Sequence, residues 1–229
     1  MSDKKPLKFV TPRGVFVYPK LTKPDTKYKP EGEYRVKLRF TADVFPGETL
    51  AKLEAMRDEL AEQTKAALTK KKEGAKVKSL KTRDVLSTEE DKETGEPTGF
   101  VVINSKMQAS GVSKKDGKPW TRKPKLFDAA GKKLPVNVQI WGGSEGKVAV
   151  EALAYYTPKD NEVGIAFYLN AVQVLKLVQG GGDSAADHGF GAEEGYTGEN
   201  EGSPFDDSAG EADPGAEPSG AAPKSGDDF

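Results

Sequence analysis

The sequence predicts a mainly β chain. The expected architecture is a small antiparallel barrel of five to six strands, with one inserted α-helix and a disordered acidic C-terminal tail. Three observations carry that expectation. Short apolar or alternating runs recur along residues 7–178, bounded by Gly, Pro and Asp turn signals and without βαβ alternation. One stretch, about 47–74, switches to helical spacing. Beyond Gly180 the composition falls almost entirely to Gly, Ala, Pro, Ser, Asp and Glu. Such a segment buries too little apolar area to offset chain entropy.

Charge divides the chain at the same place. The 229 residues hold 35 Lys and Arg against 36 Asp and Glu. Residues 180–229 carry thirteen of the acids and one base, Lys224, a formal charge of −12. Residues 1–179 keep 34 bases and 23 acids, a formal charge of +11. The near-neutral total is therefore two opposite charges joined by Gly180-Gly181-Gly182. We read residues 1–179 as the folded domain and 180–229 as the tail. A basic body implies a polyanionic ligand, and an acidic tail can compete for the same surface.

The elements follow in chain order. Leu7 to Tyr18 reads as a strand or bent strand pair split at Pro12-Arg13-Gly14. Pro19 to Gly32 reads as a polar loop holding Lys20, Lys23, Lys27, Tyr28 and Lys29. Glu33 to Phe40 has the clearest period: Tyr34, Val36, Leu38 and Phe40 alternate with Glu33, Arg35, Lys37 and Arg39. One face packs and the other presents three cations roughly 6–7 Å apart. That face is either simply solvated or tracks the phosphates of an extended nucleic-acid strand.

Leu50, Leu53, Leu60, Thr64, Ala67 and Leu68 fall on one side of a helix, with Gly74 as its expected C-cap. Lys70-Lys71-Lys72 suits the negative end of the helix dipole, or alternatively a phosphate. Residues 76–99 are highly charged and ambiguous. Phe100 to Ala109 reads as a strand with Lys106 on its polar face. Lys114, Lys115, Lys118, Arg122, Lys123 and Lys125 surround Trp120. Cations interleaved with a ring suit single-strand binding, because lysines neutralise phosphates and the indole stacks on a base. The alternative is that Trp120 plugs a loop against the core. Val136, Val138 and Ile140 read as a strand ending at Trp141, then a turn at Gly142-Gly143. Two long apolar runs, 147–156 and 163–178, read as central strands. Tyr155, Tyr156 and Tyr168 read mainly as packing, with one of them facing a groove as a second possibility.

Several chemistries are disfavoured. Cysteine is absent and the one histidine, His188, lies in the tail. The body therefore lacks an imidazole or thiolate for nucleophilic catalysis or zinc. Its carboxylates sit among lysines, with no spaced acidic cluster for Mg²⁺. We expect no catalytic residue, metal or cofactor. No run of eighteen apolar residues occurs and the first eight residues are too polar for a signal peptide. The expectation is a soluble cytoplasmic protein with no membrane partner.

Single-strand binders commonly use the oligonucleotide-binding barrel, whose strand face and loops form a groove. Within such a barrel, Arg35, Lys37, Arg39, Lys106 and the 114–125 cluster would contact phosphates. Trp120 would stack, with Tyr28 and Trp141 as further candidate rings and Lys20 and Lys29 as flanking cations.

The body also resembles the single-stranded DNA-binding proteins of tailed bacteriophages. The resemblance rests on Tyr28-Lys29-Pro30 with Tyr34-Arg35-Val36, on Lys123-Pro124-Lys125-Leu126-Phe127-Asp128, and on the run from Val136 through Trp141-Gly142-Gly143, Tyr155-Tyr156 and Gly164 to Gln173. Asp227-Asp228-Phe229 matches the acidic, Phe-terminated tail of that family. The resemblance implies a barrel that coats single-stranded DNA in phage replication, recombination and repair. It also implies a tail that recruits polymerase or helicase-primase through Asp227, Asp228 and Phe229 and screens the groove. It leaves open a homodimer. The tail here is longer and more dilute in charge than some relatives' tips. Other functions compatible with the same residues are an annealing recombinase, a structural adaptor binding acidic protein and, least supported, a nuclease.

Overall fold

The structure is a computed structural model that describes residues 5–135 and 138–178. The expectations for residues 180–229, including His188, Asp227, Asp228 and Phe229, lie outside the described residues, as do those for Val136 and Asn137.

The first strands are β1 (Leu7–Val10), β2 (Gly14–Asp25) and β3 (Glu33–Thr41). Two helices follow, α1 (Gly47–Lys70) and α2 (Gly74–Lys78), then β4 (Lys81–Thr82), β5 (Ser87–Glu90) and β6 (Pro97–Gln108). A small hairpin, β7 (Ser110–Val112) and β8 (Pro119–Thr121), precedes β9 (Lys125–Phe127). The two longest strands, β10 (Glu145–Thr157) and β11 (Glu162–Lys176), close the described chain.

Five strands form a ring in which β10 pairs β2, β2 pairs β3, β3 pairs β6, β6 pairs β11 and β11 returns to β10. The β6–β11 pair is parallel, whereas the other four are antiparallel. A ring with an odd number of strands cannot alternate direction all the way round, so one seam of a five-stranded barrel must be parallel. The expected barrel is therefore present, but it is not antiparallel throughout. It is an oligonucleotide-binding type of barrel, with β1, β4, β5 and β9 added to its edges.

Period-two patterning fills the barrel as expected. Tyr34, Val36, Leu38 and Phe40 are buried inside, beside Phe16, Ile103, Val148, Val150, Leu169 and Val172. Burying each such side chain contributes about 1.5–3 kcal/mol. Thr11 sits buried at the bend between β1 and β2; its hydroxyl oxygen accepts the Val148 N–H at 2.9 Å. Helix α1 lies against β10 and β11 with Leu53, Ala61, Thr64 and Leu68 buried.

Four local expectations are corrected. Strand β2 runs through Pro19 and Pro24, so the loop is only residues 26–32. The prolines are tolerated because the β2–β3 register shifts twice beyond Val17, freeing N–H positions that a regular ladder would need. Ala67 is exposed, and Ala61 takes the buried helical position instead. Gly74 does not cap α1 but begins α2. Lys72 takes the left-handed position at φ 60°, its N–H bonds Thr69 O at 2.9 Å, and Glu73 N–H bonds Leu68 O at 3.0 Å. That double bond is the Schellman arrangement. Finally, Val138 to Trp141 forms no strand. The free edge of β10 is already taken by β1 and β2, so alternation alone finds no partner there.

Candidate nucleic-acid interface

Register across the barrel assembles the site. Lys20 on β2 stands opposite Arg35 on β3, Arg35 opposite Lys106 on β6, and Lys106 opposite Tyr168 on β11. Three cations and an exposed ring thus form one row across four strands, each step about 4.8 Å. Lys37 and Arg39 continue the cationic face along β3. An exposed concavity of about 410 Å³ lies over this face, lined by Tyr18, Arg35, Lys37, Asn104 and Lys106. Through Asn104 and Lys106 it runs into a second, of about 440 Å³, that reaches Arg83, Tyr155 and Tyr168. A small recess beside Arg35 holds Tyr28 and Lys29.

Several of these cations already have internal counter-ions. Arg35 Nη2 donates to Asp25 Oδ2 at 2.8 Å, and Lys29 Nζ to Glu33 Oε2 at 2.7 Å. Glu89, carried in by β5, lies 3.7 Å from Lys37 and 3.5 Å from Arg39. The Arg39 guanidinium covers the Phe100 ring at 4.8 Å, and its Nε is buried without a hydrogen-bond partner among the described residues. Lys20, Lys23 and Lys106 have no ion pair among the described residues. The face therefore carries both signs of charge, with carboxylates beside Arg35, Lys37 and Arg39 in positions that a phosphate can take.

No protein-family model matches the chain, and no curated protein sequence matches it. Solved structures do. One is gp2.5, a single-stranded DNA binding protein encoded by bacteriophage T7, at 21% identity and a TM-score of 0.54 over 84% of this chain and 98% of that one. The chain has the fold of gp2.5. The C-terminally truncated single-stranded DNA-binding protein from bacteriophage Enc34 matches at 14% identity and a TM-score of 0.47, over 78% of this chain and 98% of that one. The same Enc34 protein in complex with ssDNA matches at 16% identity and a TM-score of 0.44, covering 80% and 100%.

On this gp2.5-like barrel the remaining candidates line neither of the two concavities over the row. Trp120 lies on β8, half-buried, with its ring over the Gly111 backbone and the Arg122 guanidinium 4.9 Å from the ring centroid. A Cβ at Gly111 would meet the indole at 2.7 Å, so only glycine admits the ring there. Arg122 is anchored in turn, its Nε donating to Gln108 O at 2.8 Å. Lys114, Lys115 and Lys118 are exposed at the hairpin turn. Ser110 Oγ bonds Glu31 O at 2.7 Å, which holds this hairpin beside the 26–32 loop. Lys123 and Lys125 line a different recess with Leu21, Leu134 and Pro135. Trp141 lines another recess, with Tyr18, Lys20 and Lys23.

Sequence reasoning passed over Tyr18 as a site residue and placed Tyr168 among the packing tyrosines. Tyr18 is 72% exposed and Tyr168 is 42% exposed. For Tyr168 the signal was present: it alternates with Phe167 and Leu169, both buried. Tyr18 gave none, because its outward turn follows from a bulge. No helix among the described residues is long and apolar enough to cross a membrane. Among the described residues no group of three or more acidic or imidazole side chains is placed to hold a metal.

Proposed function

We propose that this chain binds single-stranded DNA without sequence preference or catalysis, coating strands exposed in phage replication, recombination and repair. The observation that carries the proposal is the Lys20, Arg35, Lys106 and Tyr168 row, which lays cations and a ring across one barrel face. The backbone of a single strand would exchange its counter-ions for these cations, and bases would stack on exposed rings. A side chain reads no base edge by stacking alone, so sequence preference is weak. The fold shared with gp2.5 supports the same function.

The acidic residues 180–229 act, in this proposal, as a competitor for the groove and as a recruiter of polymerase or helicase-primase through Asp227, Asp228 and Phe229. A homodimer is compatible with both roles. The test is tryptophan fluorescence during oligo-dT titration across a salt series. Affinity should fall with a log–log slope of about −0.7 per phosphate neutralised. Lys106→Ala should weaken binding and flatten that slope by one such step. Equal affinity for duplex and single strand at moderate salt rejects the proposal.

A further inference from the structure

Tyr18 is an anomaly that the barrel does not explain. Its φ is 49°, in the left-handed region that side chains other than glycine rarely enter. The register of β2 against β3 breaks between Val17 and Lys20, so a bulge turns this residue outward. Strain of this kind is normally repaid by packing, yet the Tyr18 side chain is 72% exposed. Unlike Lys72, whose left-handed backbone closes α1, Tyr18 caps no helix, and its strain points to a role beyond the fold.

What Tyr18 faces is a recess of about 330 Å³ that shares Lys20 with the row and is walled also by Lys23 and Trp141. That volume lies within the range of roughly 300–1,000 Å³ for small-ligand sites. The opposite wall is built as firmly as the first. Gly143 N–H donates to Phe16 O at 3.0 Å, and Phe16 N–H donates to Ser144 O at 2.8 Å. Ile140 is buried next to Trp141 and pins the other end of the loop. The indole is thereby held out at 42% exposure, in the same recess as the strained tyrosine. Two flat rings and two lysines without an ion pair among the described residues meet there. By contrast Arg35, Lys37 and Arg39 on the barrel face are each near a carboxylate. Tyr18 also lines the main groove, so the two concavities meet at its ring.

We infer that the recess is a second nucleotide subsite: a strand leaving the barrel face turns over Tyr18, seats a base between Tyr18 and Trp141, and sets its phosphates on Lys20 and Lys23. The inference rests on the single-strand binding proposed above and adds a path beyond the barrel face. The expected ligand is an unstacked nucleotide of a continuous strand, with every base accepted because each presents a flat face.

The chain has only two tryptophans, so Trp120→Phe leaves Trp141 as the sole indole reporter. That protein is titrated with dye-labelled oligo-dT of about four and about sixteen nucleotides, the span of site sizes for one such barrel, with binding read from the anisotropy of the dye and the recess from indole emission. The longer strand should quench Trp141 and the shorter one should not. Tyr18→Gly then separates ligand from fold, because glycine accepts the positive φ and relieves the strain. Tyr18→Gly should melt no lower than the parent and bind the longer strand about tenfold more weakly, while Lys23→Ala, outside the main groove, should weaken the longer strand and leave the shorter one unchanged. Tyr18→Phe should restore the long-strand affinity. Normal binding of both lengths, with an unquenched Trp141 and no effect of Tyr18→Gly, overturns the inference and leaves the groove intact. Loss of self-association in Tyr18→Gly, with DNA binding unaltered, overturns it in favour of an interface between copies. Failure of either length to bind the parent protein rejects the groove itself.

Discussion

At the scale of single residues, left-handed backbone positions separate architecture from function. Lys72 at φ 60° closes α1, and its side chain is exposed. A lysine there costs about 1 kcal/mol relative to glycine, the residue that enters this region freely. Lys72→Gly should therefore raise the unfolding free energy by about that amount in urea titration, with DNA affinity unchanged. Asn161 at φ 50° is likewise structural: its Nδ2 donates to Lys76 O at 2.8 Å and to Ser79 Oγ at 3.0 Å, holding α2 to the β10–β11 turn. Tyr18 shares the backbone region and has no such side-chain bond among the described residues. Gly146 shows the converse constraint, since a Cβ there would lie 2.1 Å from Gln173 O. The glycine is demanded by the closeness of the β11 backbone and of the Phe16 ring.

At the scale of elements, small added strands tune the barrel's charge. β5 pairs with the edge of β6 and brings Glu89 over the β3 face. In the proposed DNA complex, a phosphate bridging Lys37 and Arg39 would meet Glu89, which would oppose it. These pairs are half-buried, and even exposed pairs contribute about 0.2–1 kcal/mol. Glu89→Gln should hence tighten single-strand binding roughly two- to fivefold at low salt, measured by fluorescence titration, with little change in melting.

Another carboxylate ties the barrel's closing seam. Glu145 on β10 accepts from Arg13, Nε at 2.9 Å and Nη2 at 2.7 Å, and lies 3.7 Å from Lys176 on β11. The Arg13 guanidinium, bonded to it, holds the Glu145 carboxyl below the usual range, with Lys176 adding to the effect. A depressed folded-state pKa supplies stability above the unfolded value of about 4.3 and loses it as pH falls through the folded value. Glu145→Gln should accordingly be less stable than the parent at neutral pH. The gap should close in acid below the folded-state pKa, read from urea unfolding at the two pH values.

At the scale of the molecule, opposite formal charges of +11 and −12 on residues 1–179 and 180–229 define the proposed competition. If the acidic residues oppose DNA as proposed, removing 180–229 should raise affinity at low salt and abolish partner recruitment. The gain should shrink as salt rises, because screening weakens both attractions. Equal affinities for full-length and truncated protein at every salt concentration reject the competition.

The sequence by itself determined what depends on neighbours along the chain. Alternation named the inner residues of β3 and so also its cationic outer face. Helical spacing located α1, and composition separated a basic body from an acidic extension. Only the tertiary structure decided which residues stand side by side. Lys20, Arg35, Lys106 and Tyr168 are far apart in sequence and become a row through register between strands. The parallel seam follows from closing five strands, and the outward turn of Tyr18 from a bulge that no local pattern announces. Trp120, central to the cation-rich run, meets Gly111 and Arg122 rather than the row, while Trp141 joins Tyr18 because β1 and β2 had filled the edge of β10. Local periodicity reports which side of a strand faces water; register, closure and edge occupancy arise from hydrogen bonds between distant segments, and these choose the residues that share a groove.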